Sequence, residues 1–275
     1  MEIMKKYPQN LHTHGTFCDG KDDYEATIKR AMELGFTSIG FSGHSYMSYS
    51  PAYSMSVEGT EEYKKVVRAL AKKYEGQIDV LCGIEFDMYS EDPLIGYDYI
   101  IGSVHYLKLD GKYVGFDRSA DEVESVIKEY FGGDGLKFAK KFYETVCELP
   151  SYVKCDIVGH FDQITKNIEK RNLFDTSSKE YRAYALEALH TVAESCNVFE
   201  INTGAISRGY RTTPYLEPFL LREIKAIGGG IVISSDCHDN RYLDIHFDES
   251  LELARSCGFT EVLTLEKGGF VPHKI

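Results

Sequence analysis

Tyr99-Ile100-Ile101-Gly102-Ser103-Val104-His105 is a short apolar run with no polar alternation, and a histidine stands directly behind it. A strand open to water on one face alternates apolar and polar residues; one that is apolar throughout is covered on both faces, as in a parallel sheet. The same texture lies on either side of this run. Upstream are Asn10-Leu11 and the segments 38–42 and 79–84; downstream are 155–159, 198–202 and 231–235, giving about seven strands.

Between them apolar residues recur three and four apart, the spacing of a helix with one buried face. Tyr24, Ile28, Ala31 and Met32 form one such set; Tyr63, Val66, Val67, Leu70 and Tyr74 form the next. Others are Ala139, Phe142, Tyr143 and Val146, then Ala185, Leu189, Val192, Ala193 and Cys196, then Leu216, Phe219, Leu220, Ile224 and Ile227. Thr213-Pro214 reads as a cap and first position for the last of these helices. Segments 106–135 and 161–178 read as loop insertions. Strand–helix units repeated over 275 residues with no linker predict one α/β barrel domain spanning 1–275.

A net charge of -12, from 31 Lys+Arg against 43 Asp+Glu, argues against nucleic acid and anionic membrane as partners. Bound divalent ions would offset part of that acidity. Seven cysteines form no Cys-x-x-Cys pair and read as reduced core thiols. The start MEIMKKYPQN lacks a signal-peptide apolar stretch, and no apolar run of 18 residues occurs. The expectation is a soluble, cytoplasmic protein.

The decisive feature is the set of polar residues directly behind the strands. His12-Thr13-His14 stands behind the first, with Asp19 five residues on; Gly43-His44 stands behind the second. Glu85, His105 and His160 end the next three, and Asp236-Cys237-His238 ends the seventh. In a parallel barrel these ends share one rim, where active sites sit. Six of the nine histidines and three carboxylates thus converge. Imidazole and carboxylate without thiolate suit manganese, iron or zinc. Nine ligands exceed one ion and fit two or three, if Glu85 bridges. Paired divalent ions acidify a shared water and clamp both oxygens of an in-line displacement, which is phosphoesterase equipment.

The ordered set His12-Thr13-His14-Gly15-Thr16-Phe17-Cys18-Asp19-Gly20, Gly43-His44, Gly83-Ile84-Glu85, Gly102-Ser103-Val104-His105, Val158-Gly159-His160, Glu200-Ile201-Asn202-Thr203 and Ser235-Asp236-Cys237-His238 resembles the polymerase-and-histidinol-phosphatase (PHP) superfamily. The resemblance runs from about residue 10 to 240. It implies a distorted (β/α)7 barrel with a trinuclear site: His12, His14, Glu85 and Asp236 on one ion; Glu85, His105 and His160 on the second; Asp19, His44 and His238 on the third. Gly43 stands where many relatives carry an aspartate, so a supporting carboxylate is absent there.

The segment Arg208-Gly209-Tyr210-Arg211 resembles the free-standing histidinol-phosphate phosphatase branch. That implies hydrolysis of L-histidinol phosphate, a step of histidine biosynthesis. Another small phosphate ester, a nucleotide or phosphotyrosine is the alternative. Arg208 and Arg211 are candidates to fork onto phosphate oxygens. Asp162 and His246 are candidates to protonate the leaving group, with the N-terminal flank of the helix near Asp248 as the other reading of His246. Tyr46 to Tyr53 reads as an aromatic lid or a plain surface loop.

Overall fold

The computed structural model describes residues 7–275, so the charged stretch 1–6 lies outside the described residues. The strands are β1 (Gln9–Asn10), β2 (Ser38–Phe41), β3 (Asp79–Asp87), β4 (Tyr99–Ser103), β5 (Tyr106–Leu109) and β6 (Lys112–Gly115), then β7 (Ile157–Val158), β8 (Val198–Asn202), β9 (Gly230–Ser234), β10 (Glu261–Glu266) and β11 (Gly269–Lys274). Seven of them form one sheet in the order β1-β2-β3-β4-β7-β8-β9, every neighbouring pair parallel. These are the seven expected strands.

The sheet curls until its edges meet. Beyond β1 and β9, Thr13 bridges Cys237 in the parallel sense. The His14 N–H donates to the Cys237 carbonyl at 2.8 Å, and the Cys237 N–H to the His12 carbonyl at 3.1 Å. The seam of this (β/α)7 barrel is therefore sewn by the backbone that carries His12, His14, Asp236 and His238.

Inside, Leu11, Tyr99, Ile101, Ile157 and Val232 form a small inner core. Tyr99 runs its phenol across the barrel to donate to the Leu11 carbonyl and, at 3.2 Å, to that of Phe41. Helices cover the outside. The first, Tyr24–Glu33, opens where the Asp23 carboxylate accepts the Ala26 N–H at 2.8 Å. Its buried face is Tyr24, Thr27, Ile28 and Ala31, the helical spacing of the sequence.

Two segments depart from expectation, and a third agrees with it. Residues 106–135 are mostly ordered elements rather than loop: β5 and β6 form a hairpin and Ala120–Phe131 is a helix. Asp110 and Gly111 sit at φ 48° and 75° between paired Leu109 and Lys112, the two-residue turn that Asp-Gly favours. Ser119 and Glu122 then close a reciprocal cap on the helix. Thr213-Pro214 does not start a helix; the cap is Glu217 and the helix is Pro218–Ala226, because Pro218 takes the first position. Thr213 serves Arg211 instead. Segment 161–178 is largely irregular, with one short 3-10 turn at Gln163–Thr165. A final β10–β11 hairpin plugs the N-terminal end: Gln9 exchanges two hydrogen bonds with Leu265, at 2.9 and 2.7 Å.

Candidate metal centre

All nine residues converge at the C-terminal mouth, in four overlapping groups: His14, Asp19, His44 and His238; His12, Glu85 and His160; His12, His14 and Asp236; His44, Glu85 and His105. Glu85, 1% exposed, is the hinge of the arrangement. Its Oε2 lies 2.8 Å from His44 Nδ1, 3.3 Å from His12 Nε2 and 3.6 Å from His14 Nε2. Its Oε1 lies 2.9 Å from His160 Nε2 and 3.4 Å from His105 Nε2. One carboxylate thus gives an oxygen to each of two histidine sets, the geometry of a bridging ligand.

On the seam side, Asp236 Oδ1 is 3.3 Å from His14 Nε2 and 3.4 Å from His238 Nδ1. Asp19 Oδ1 is 3.2 Å from His238 Nε2 and 3.7 Å from His44 Nε2. Two ligands about 2.1 Å from one tetrahedral ion stand about 3.4 Å apart, so these separations fit donors that share ions. His12 Nε2, His14 Nε2 and Glu85 Oε2 are buried atoms with no hydrogen-bond partner. Buried polar atoms usually find a partner, and a cation would supply the one missing at these three clustered atoms. The donor set therefore fits divalent metal.

Electrostatics divide the histidines: against their own burial, neighbouring carboxylates raise His12 (Glu200 foremost), His44 and His105 (Glu85 foremost), the last to about 9, so metal would have to displace those protons. Burial, with His238 and His44 alongside, depresses His14 to about 3 and keeps its imidazole neutral, as a ligand must be. Against its own burial, Glu85 is held well below the usual carboxylate range by His44, His12 and His105. Asp236 is likewise held low against its burial, first by Arg208 and then by His12. Asp236 adopts φ 47°, and it packs against Gly204, where a Cβ would stand 2.7 Å from the aspartate's side chain. A left-handed aspartate and a forced glycine mark a backbone shaped for the site rather than for stability.

Behind the ligands stand two carboxylates. Glu200, 1% exposed, accepts from His12 Nδ1 at 2.6 Å, the His160 N–H at 2.9 Å, Asn202 Nδ2 at 2.9 Å and the Ser234 hydroxyl. Asp87 accepts from His105 Nδ1 and from its backbone N–H, both at 3.1 Å. Each fixes a ring so that the opposite nitrogen faces the cluster. From sequence the role of Glu200 stays open and Asp87 goes unnoticed. The signal was there: Glu85 and Asp87 are two apart on one strand, hence on one face.

The remaining candidates separate. Arg208 reaches the rim, Nη2 2.8 Å from Asp236 Oδ2 and Nη1 3.1 Å from the Asp236 carbonyl. Arg211 does not. It is buried, and its guanidinium is consumed by Thr165 and by Thr213, over the Tyr215 ring. Asp162 is fully buried two residues past His160, its Oδ2 accepting the Glu217 N–H at 2.9 Å and its Oδ1 without a hydrogen-bond partner. His246 is the N-cap residue of the surface helix Phe247–Ser256, 3.7 Å from Glu249, and joins none of the metal groups. In the stretch 46–53, Tyr53 stands edge-on to His44 at 4.8 Å, while Tyr49 stacks on Tyr113 at 4.0 Å.

A cation that sequence did not disclose is Lys166. It is 8% exposed, donates to the Asp117 carbonyl and lies over the Tyr210 ring at 4.5 Å. Burial depresses its ammonium pKa, partly offset by Asp117 and Asp236. One lysine in an irregular segment carries no sequence signature.

Residues 10–204 of the chain match the PHP domain family. The chain belongs to that family. Among curated PHP relatives, the histidinol-phosphatase of Bacillus subtilis is 25% identical over 88% of this chain and 97% of its own length. A protein of Schizosaccharomyces pombe named a probable histidinol-phosphatase is 24% identical over 95% of this chain and 90% of its own. Two solved structures share the fold. A structure from Listeria monocytogenes, named a putative histidinol phosphatase, has TM-score 0.77 at 21% identity, covering 88% of this chain and 99% of that one. Histidinol phosphate phosphatase from Lactococcus lactis, solved with zinc, L-histidinol and phosphate, has TM-score 0.74 at 19% identity, covering 96% and 98%. Among the described residues no helix is long and apolar enough to cross a membrane.

Proposed function

We propose that this chain hydrolyses L-histidinol phosphate to L-histidinol and inorganic phosphate, a step of histidine biosynthesis in the cytoplasm. The observation that carries the reading is the nine-ligand cluster with Glu85 offering one oxygen to each of two histidine sets. The relatives named for this activity along almost their whole length favour this ester over other phosphate monoesters.

His12, His14, Glu85 and Asp236 would hold one ion, Glu85, His105 and His160 a second, and Asp19, His44 and His238 a third. Manganese, iron or zinc suits the donors. Such ions supply Lewis-acid charge and a water acidified toward neutrality. The chain's own residues do the rest. Glu200 and Asp87 hold His12 and His105 in the ligating tautomer. Arg208 and Lys166 place two cations beside the cluster, where phosphate oxygens left free by the ligands gather charge. The guanidinium offers a planar fork, the ammonium a point charge.

The test is competition among esters. Metal-loaded protein is given L-histidinol phosphate with a panel of sugar phosphates, nucleotides and phosphotyrosine peptides. The proposal expects histidinol phosphate to have the highest kcat/KM and to suppress release from the others. A nucleotide or phosphotyrosine peptide that outcompetes it would replace the substrate and leave the phosphoesterase site standing.

A further inference from the structure

The insertion between β4 and β7 brings one more charged group to the mouth. β5 begins at Tyr106, the residue after His105, turns at Asp110-Gly111, and β6 returns with Gly115 opposite Tyr106. Antiparallel partners lie about 5 Å apart, so the chain emerging from β6 is level with His105 at Phe116 and one residue beyond it at Asp117. The position is fixed from behind. Lys166 donates to the Asp117 carbonyl, and Asn167 Nδ2 donates to the Arg118 carbonyl at 2.7 Å. Arg171 pairs with Asp121 at 2.7 Å and Glu124 at 2.8 Å, one turn into the following helix.

Of these groups the Asp117 carboxylate pairs with Lys166 alone, and loosely. Its nearest cation is Lys166 Nζ at 3.7 Å, beyond hydrogen-bonding length, and its side chain is one-third exposed. The groups that face it electrostatically are Lys166, His105, His44 and Arg208, and its charge is felt in turn by the Tyr53 phenol. An ionised carboxylate on a rim otherwise furnished with cations works against binding a bare phosphate. Its placement makes sense for a substrate carrying a cation of its own beside the ester.

Resting on the proposed function, we infer that Asp117 is a specificity-determining residue that pairs with an ammonium two carbons from the ester oxygen, and so selects β-aminoalkyl phosphates. In L-histidinol phosphate the ammonium stands on that carbon.

Two probes isolate the ammonium: O-phosphoethanolamine, and n-propyl phosphate, in which methyl replaces ammonium. Native metal-loaded protein is expected to prefer the amine by about tenfold to a hundredfold in kcat/KM, the range of a hydrogen bond to a charged group. In Asp117→Asn that ratio is expected to fall toward one, with the loss seen chiefly in KM. Equal loss on both esters would make Asp117 a structural residue and overturn the inference. So would a native enzyme indifferent to the ammonium, a result that stands even if the variant fails to fold. Failure of the proposed function looks different: native protein that cleaves simple esters but leaves histidinol phosphate intact.

Discussion

Glu200 is the most informative residue to perturb, because its carboxylate belongs to none of the metal-ligand groups yet sets the tautomer of His12 from behind. It accepts four hydrogen bonds from His12 Nδ1, the His160 backbone, Asn202 and Ser234. A carboxylate has lone pairs for all four; a glutamine of the same shape does not. If the amide NH2 takes the Oε1 side, it confronts the His12 Nδ1–H. His12 must then carry its proton on Nε2, the atom that faces Glu85 and Asp236. If it takes the Oε2 side, it confronts the His160 N–H, which cannot turn away. Loss of such an orienting partner costs about tenfold to a hundredfold in metal affinity, or about 1.4 to 2.8 kcal/mol. The assay is metal content and activity of Glu200→Gln across buffered free-metal concentrations. Half-loading is expected to move up by that factor, with activity recovering at high metal. Loading and turnover identical to the native chain would refute the tautomer argument.

Arg208→Ala is expected to lower kcat/KM for histidinol phosphate by about 10² to 10³, as for a lost donor to developing charge, without a large change in melting temperature. Arg211→Ala is expected to do the reverse, costing about 2 to 4 kcal/mol of stability because Thr165 and Thr213 lose a buried charged partner; denaturant unfolding and steady-state kinetics on both variants decide it. Burial, then the neighbouring Asp162, pushes Glu217 up from 4.5 to about 7. Its folded pKa lies above its unfolded one, so its contribution is fully present below pH 4.5 and is lost as pH rises through 7. The melting temperature of Glu217→Gln relative to native is thus expected to rise between about pH 5 and pH 8, and a difference that stays flat would contradict the shift.

The barrel and the gathering of nine histidines and carboxylates at its mouth were legible because both are written in short-range code. Doubly apolar runs mark covered strands, and a histidine or carboxylate behind each run lands on one rim by topology alone. Asp87 was legible by the same period-two rule. The β5–β6 hairpin was legible too, through Asp110-Gly111, but mixed charge around it resembled a loop. Arg211 and Lys166 were not legible. Arg208 and Arg211 are three apart in the chain, and which of them faces the mouth is set by Thr165 and Asp236, dozens of residues away. Lys166 is drawn in by Asp117 across the insertion, a contact no local pattern encodes.

The most direct test of the central claim is phosphate release from L-histidinol phosphate by metal-reconstituted protein, with chelated protein and His14→Ala alongside. We expect turnover in the loaded native chain that chelation removes, that added divalent metal restores, and that His14→Ala largely abolishes. Turnover that survives both chelation and the substitution would contradict a metal-dependent phosphatase.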